Sequence, residues 1–277
     1  MARGSSDASR SSSALPLGHL PPWRQALRYQ LGRSVVWVLA RLLFRVRLVD
    51  GDRIGRDPAV LCFNHLGWLD PMILLAAFPR RPRLYFYGPK EEDMGRGGRN
   101  RLMAWLGVAV PYRPAKDDLI TSVRRAQAVF DSGSILAIAG EGRIHVHEGD
   151  LMALQEGAAY LSLRGRVPII PIALTGTSWV GFRRTVTVRV GEPIATGERP
   201  NRETVDRYTA ATWHALRAMV AHDRDLPEPG PFGRWLTDLF NDWGPGGREA
   251  ATAEWGPRPE DVRQPGRAPV EEAAGAG

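Results

Sequence analysis

The sequence predicts an α/β domain, a single unit with a mostly parallel sheet flanked by helices. Short apolar runs at residues 59–63, 83–87, 108–112, 134–139, 167–174 and 185–190 alternate with longer segments whose apolar residues recur every three or four positions. That alternation builds a sheet from parallel strands joined by helices. The length of 277 residues, with 43% hydrophobic and 24% charged side chains, fits a soluble globular chain and excludes a wholly disordered chain, a coiled coil and a polytopic membrane protein. One cysteine, Cys62, leaves no disulfide framework and no cysteine-rich zinc site, and suits a reducing compartment.

Taken in order, residues 1–20 form a Ser-rich, then Pro- and Gly-containing leader with no apolar block after its early arginines. Such a leader reads as disordered rather than as a secretory signal. Residues 23–46 predict a helix, with Trp23, Leu27, Leu31, Val35, Leu39 and Leu42 three or four apart. Arginines 24, 28, 41 and 45 bracket an apolar middle section at residues 34–40, which calls for burial in protein or in lipid. The apolar run 35–40 falls far short of the ~20 residues that span a bilayer. A shallow interfacial helix with snorkelling arginines and a core helix both satisfy the pattern.

After a lead-in strand at residues 46–51, the first strand of the series ends in Asn64-His65, and Asp70-Pro71 opens a helix to residue 78 with Asp70 at its N-cap. Helices follow at 100–106, 119–130, 151–163 and 202–222, between the strands given above. Residues 232–240 form a short amphipathic segment. Trp235, Trp243 and Trp255 around it fit lipid contact or docking on the core. The tail, 244–277, is rich in Pro, Gly, Ala and Glu and reads as disordered. These signals divide the chain into a leader (1–20), a membrane-associating helix (21–46), a main domain (47–225), a C-terminal helix (226–243) and a tail (244–277).

The net charge of +7 is not spread evenly. Residues 1–56 hold ten arginines against Asp7, Asp50 and Asp52, so this segment carries the whole excess and the rest is neutral in sum. A nucleic-acid-binding domain places its charge on the folded face instead, which argues against that partner.

Four blocks carry residues suited to chemistry. In Asn64-His65-Leu66-Gly67-Trp68-Leu69-Asp70, an imidazole just past a strand end stands five residues before a carboxylate. Across a turn the carboxylate can fix the tautomer and leave the other ring nitrogen as a directed general base. On spacing alone Asp70 is equally a helix cap and His65 a turn residue. No Gly-x-Ser-x-Gly elbow is present and Cys62 lies inside a strand, so direct attack by a substrate hydroxyl is favoured over a covalent enzyme intermediate. Gly140-Glu141-Gly142-Arg143-Ile144 ends another strand, where glycines admit an anion and Arg143 can pair with phosphate. Residues 107–113 deliver Arg113 to a strand exit. Val167-Pro168-Ile169-Ile170-Pro171-Ile172 is an apolar strand whose prolines limit its pairing.

In combination and order, over about residues 46–193, these blocks resemble the glycerolipid acyltransferase superfamily that includes bacterial 1-acylglycerol-3-phosphate acyltransferase. Its pattern is Asn-His-x4-Asp, a strand ending in Arg, Phe-Pro-Glu-Gly-Thr-Arg, and a Pro-bearing apolar strand. The resemblance implies His65 as the base that deprotonates an acceptor hydroxyl for attack on an acyl thioester. It implies Asp70 as the residue orienting His65 and Asn64 as shaping or lining the site. Arg113 would meet the acceptor phosphate, Glu141, Gly142 and Arg143 would complete the acceptor pocket, and Pro168 with Pro171 would lie near the acyl region. It further implies acyl-CoA or acyl-carrier protein as donor, no metal and no other cofactor, and an N-terminal helix docked on an anionic membrane surface. A peripheral enzyme on the cytoplasmic face of the cell membrane follows.

The chain departs from the pattern at Ala139-Gly140, where the family has Phe-Pro, and at Arg143-Ile144, where it has Thr-Arg. These changes bear on the acceptor. 1-Acyl-sn-glycerol-3-phosphate stands first, with glycerol 3-phosphate, a lyso-ornithine lipid or another lysophospholipid as alternatives. A non-catalytic lipid-binding relative is the reading from another class, against which the intact His65 and Asp70 count. His145-Val146-His147-Glu148 lacks a third ligand at a convincing spacing and reads as a polar loop rather than a metal site.

Overall fold

Strand β2 (Val60–Phe63) is buried along its whole length, and its side chains divide by alternation between two cores. Leu61 and Phe63 face one, and Val60 and Cys62 the other. The same division runs through β3 (Leu84–Lys90), β5 (Ile135–Ala139) and β6 (Ile169–Thr175), as expected of strands covered on both faces. The computed structural model describes residues 21–90, 97–112, 119–144, 146–244 and 246–248. The expected leader, Arg113, His145 and nearly all of the expected tail lie outside the described residues.

The remaining elements are α1 (Pro22–Leu43), β1 (Phe44–Val49), α2 (Leu69–Ala77), α3 (Gly97–Leu106), β4 (Ala109–Tyr112), α4 (Leu119–Asp131), α5 (Gly157–Gly165), β7 (Arg184–Val190), α6 (Arg202–Val220) and α7 (Pro231–Asn241). Seven strands form one sheet in the order β1-β7-β6-β2-β5-β3-β4. All neighbouring pairs are parallel except β6 and β7, so β7 and β1 run against the other five. Helices α1, α2, α3 and α7 contribute to the core on one face, and α4, α5 and α6 to the core on the other. Helix α6 starts with a reciprocal cap, in which Asn201 accepts from the Thr204 amide and Thr204 from the Asn201 amide.

Several sequence expectations shift. The first helix ends at Leu43 rather than residue 46, because the chain from Phe44 pairs with β7 in register from Phe44↔Arg184. The helix expected over residues 151–163 is helical only from Gly157, since the backbone just before it bonds to the loop after β5 instead. The prolines of β6 do not confine it to an edge. Pro168 precedes the strand, and Pro171 lies beyond the β7 ladder, which begins at Ile172↔Val190; Gly191 donates to the Pro171 carbonyl there.

Helix α1 reverses the simplest reading of its pattern. Trp23, Leu27, Leu31, Val35, Leu39 and Leu42 are all at least half exposed. The opposite face packs inward through Tyr29, Arg33 and Ala40, with Val36 and Leu43 partly buried, and Arg33 donates to the Phe78 carbonyl. Among the described residues, no helix is long and apolar enough to cross a membrane.

Candidate active site

The carboxyl ends of β2 and β5 lie side by side, where open α/β sheets gather their ligands. His65 follows β2. Its Nδ1 lies 2.8 Å from Asp70 Oδ2, and the ring also meets Phe63 edge-on with centroids 5.8 Å apart. Asp70 is completely buried, and the same Oδ2 accepts the backbone N–H groups of Leu66 at 2.7 Å and Gly67 at 3.0 Å. Three donors on one oxygen fix the carboxylate, and the carboxylate fixes the imidazole, leaving Nε2 as the nitrogen not engaged by Asp70. Among the described residues Asp70 Oδ1 has no hydrogen-bond partner.

Asp70 is therefore not the N-cap expected from the sequence. The helix starts earlier, at Leu69 with Trp68 in the cap position, and the carboxylate bends back over the preceding loop rather than meeting the helix's own first amides.

Asn64 is buried and occupied on both sides of its amide. Its Nδ2 donates to the Leu174 carbonyl at 3.0 Å, and its Oδ1 accepts the Leu174 N–H at 2.7 Å. This side chain imitates a strand backbone and ties the turn to β6. The bonds give Asn64 the turn-shaping place that the resemblance implies.

Glu141 follows β5 and is likewise buried. Its Oε2 accepts the His65 N–H at 2.8 Å and its Oε1 the Met152 N–H at 2.9 Å. Both oxygens thus hold backbone, and Glu141 clasps the His65–Asp70 turn to the segment before α5. Burial pushes the Glu141 carboxyl up to about 7, against the pull of the two amides.

Gly140 is equally constrained. A β-carbon there would stand 2.8 Å from both Cys62 Sγ and Leu154 Cδ2, while its N–H bonds to the Phe63 carbonyl and its carbonyl to the Gln155 N–H. The glycine in place of the family's proline answers a shortage of space rather than adding freedom. Gly142 turns the chain at a φ of 71° and is exposed, and Arg143 beside it is half-buried. Burial, with the Glu141 charge nearby, pushes the Cys62 thiol up to about 12, which removes it as a nucleophile.

Two other sequence expectations fall away from this centre. Pro168 sits at the amino end of β6, where its carbonyl accepts the Val60 N–H, at the opposite end of β2 from His65. Strand β4 runs toward the same sheet end as β2 but stops at Tyr112, and Arg113 lies outside the described residues. His147 pairs with Asp225 at 2.8 Å, and Glu148 turns inward to the amides of Gly176 and Ser178 and the Ser178 hydroxyl. Burial raises the Glu148 carboxyl. Among the described residues no three His, Cys, Asp or Glu side chains gather as metal ligands.

The structure also brings in residues that no local pattern announces. Asn241 at the end of α7 accepts the Trp68 N–H at 3.0 Å, and Arg99 stacks over the Trp68 ring at 4.6 Å. They are distant in sequence from the turn they support, and only the tertiary fold unites them.

The family model described as Acyltransferase matches residues 45–175, the span that holds His65, Asp70, Arg113, Glu141 and β6. A probable 1-acyl-sn-glycerol-3-phosphate acyltransferase of Mycoplasma genitalium is 24% identical over 172 residues, 61% of this chain. The match covers 62% of that protein's own length. The crystal structure of the 1-acyl-sn-glycerophosphate acyltransferase PlsC from Thermotoga maritima is similar in fold, with a TM-score of 0.53 and 17% identity, over 71% of this chain and 78% of that one. The span matched by the Acyltransferase family model thus holds both the Asn-His-x4-Asp turn and the Glu-Gly block, joined at the ends of adjacent strands.

Proposed function

We propose that the protein transfers a fatty acyl group from acyl-CoA or acyl-carrier protein to the hydroxyl of a lysophospholipid, 1-acyl-sn-glycerol-3-phosphate first among them, giving phosphatidic acid. The observation that carries this reading is the His65 Nδ1 to Asp70 Oδ2 contact of 2.8 Å, held by a fully buried carboxylate. With Nδ1–H directed at Asp70, Nε2 takes the acceptor hydroxyl proton as the oxygen attacks the thioester carbonyl. The tetrahedral intermediate collapses with cleavage of the carbon–sulfur bond. The imidazolium returns its proton to the departing thiolate, so ester and thiol leave and His65 is neutral again.

The enzyme works in this reading as a peripheral protein on the cytoplasmic face of the membrane. Helix α1 supports that placement, because its outward face combines the apolar stripe with Arg24, Arg28 and Arg41 and the helix contains no acidic residue. An anionic surface suits that combination. The half-buried Arg143, one position from where the family carries its arginine, favours a second reading in which the acceptor is a different lysophospholipid or glycerol 3-phosphate.

The test is an acyl-transfer assay of the purified protein against a panel of lyso-acceptors with either donor, read by mass spectrometry. A new diacyl product with release of free thiol is expected, and His65→Ala abolishes it while the fold is retained. No product with any acceptor, or a His65→Ala variant of near-full activity, overturns the proposal.

A further inference from the structure

Among the described residues, most large exposed apolar side chains lie on one side, with Leu48 and Val49 on edge strand β1 as a separate pair. Those on α1 are joined by Leu102 and Trp105 on α3, Phe182 in the β6–β7 loop, and Phe232, Trp235 and Leu239 on α7. All these elements belong to the side of the sheet that α2 covers, whereas among the described residues of α4, α5 and α6 only Ile120 is a large exposed apolar side chain.

Helix α7 is amphipathic in two steps. Leu236 and Phe240 pack on the core, and Phe232, Trp235 and Leu239 continue that apolar arc outward into solvent. The helix is continuous with the α1 surface through the β6–β7 loop: the Arg183 N–H bonds to the Leu43 carbonyl at the end of α1, and the Val180 N–H to Thr237 Oγ1 of α7. An open groove of about 880 Å³ along α7 is walled by Trp179, Trp235 and Trp243 with Arg234 and Arg248, and also by Glu228, which pairs with Arg234 at 2.6 Å, and Asp238. Tryptophan and arginine side by side match the headgroup layer of a bilayer, where an amphipathic ring and a cation are both satisfied.

The buried edge of the same helix reaches the catalytic turn. Asn241 Oδ1 accepts the Trp68 N–H, its Nδ2 donates to the Thr237 carbonyl at 2.9 Å, and Arg99, stacked on Trp68, donates to the Phe240 carbonyl at 3.1 Å. Trp68 stands between His65 and Asp70. Any shift of α7 is therefore felt by the loop that orients the imidazole, through bonds at its midpoint.

We propose that α7 is a second lipid-contact element and that Asn241 is a positioning residue that passes the seating of α7 on a bilayer surface to the His65–Asp70 turn. The inference rests on the acyl-transfer reading for its catalytic half and is independent of it for the lipid half. The experiment uses vesicles of phosphatidylcholine and phosphatidylglycerol that contain no acceptor, with a short-chain water-soluble lysophosphatidic acid as the acceptor. Flotation with the vesicles reads seating without any turnover, and the rate with and without vesicles reads the coupling.

Wild-type protein floats and is stimulated several-fold by the vesicles. The triple variant Phe232→Ser, Trp235→Ser, Leu239→Ser loses about ten-fold in vesicle affinity, the equivalent of ~1.4 kcal/mol, and most of the stimulation, while its rate without vesicles is unchanged. Asn241→Ala floats like the wild type but is no longer stimulated, and its pH profile shifts because the imidazole is less firmly held. Flotation of the triple variant equal to wild type overturns the lipid contact, and wild-type stimulation of Asn241→Ala overturns the coupling. A wild type that floats through α7 and transfers no acyl group sinks the reaction assignment and leaves the lipid contact standing.

Discussion

Glu141 is the residue whose two tasks pull in opposite directions. Its carboxylate accepts two backbone N–H groups, one of them from His65 itself, and that arrangement is complete only when the group is ionised. Burial holds it at about 7, well above the ordinary 4.5. Because the folded-state value is raised, its contribution to stability is full below the unfolded-state value near 4.5 and is lost as the pH rises through about 7. The hold on the catalytic turn follows the other sign and is fully formed only above about 7. Between about pH 5 and pH 8, the melting temperature should therefore drift down as kcat rises. Glu141→Gln removes the titration, and its amide nitrogen faces a backbone N–H that needs an acceptor, leaving a buried group unsatisfied at about 1–3 kcal/mol. The variant should lose activity on the order of 10²-fold, as a misplaced base does. Its melting temperature and kcat should also lose the part of their pH dependence that lies in this window. Parallel pH profiles in variant and wild type would rule out this role.

At the scale of the element, α1 sets its exposed stripe against the packing of its other side. Tyr29, Arg33 and Ala40 are buried, so removing the helix outright would uncover the core and confuse lipid binding with unfolding. Substitution on the outward face avoids this. Leu27→Ser with Leu31→Ser and Leu39→Ser removes three side chains that are at least half exposed, at little expected cost to the melting temperature. Vesicle flotation should fall about ten-fold or more, since each apolar side chain transferred to the interface contributes on the order of 1 kcal/mol. A large drop in melting temperature with unchanged flotation would mean that the stripe serves the fold alone.

The same helix shows what local pattern conveys and what it omits. Periodicity located α1, α2, α4, α6 and α7 and most of the strands, because each carries its own apolar repeat. It could not say which arc of α1 turns inward, because that depends on α2 and α3, which arrive later in the chain. The His65–Asp70 pairing was legible because both partners lie within one turn. The use of Glu141 was not, because its partners at His65 and Met152 come from other loops. Asn241, 173 positions from Trp68, left no trace at all in the local sequence.

For the molecule as a whole, charge, apolar surface and catalytic turn converge on one side. Arg24, Arg28 and Arg41 lie on α1, the exposed apolar residues cluster on α1, α3 and α7, and His65 leads directly into α2, the helix on which α1 packs. Strand β1 runs opposite to β2, so the end of α1 stands at the same end of the sheet as His65. For the lipid acceptor proposed above, this arrangement sets the apolar face and His65 toward a common end of the sheet. Site-directed spin labelling tests the orientation directly, and the native cysteine does not interfere because Cys62 is buried and its thiol is held at about 12. A label at Leu102→Cys on α3 should gain collisions with lipid-soluble oxygen when vesicles are added, as should one at Leu31→Cys on α1. A label at Asp206→Cys on α6, exposed on the far side of the sheet, should remain accessible to a water-soluble nickel chelate. The contrast should weaken as ionic strength rises, because the Debye length shrinks from about 10 Å at 0.1 M salt to about 3 Å at 1 M and the arginines lose their reach. Equal accessibility on the two sides, or protection of position 206 alone, would place the membrane elsewhere and detach the apolar face from the reaction.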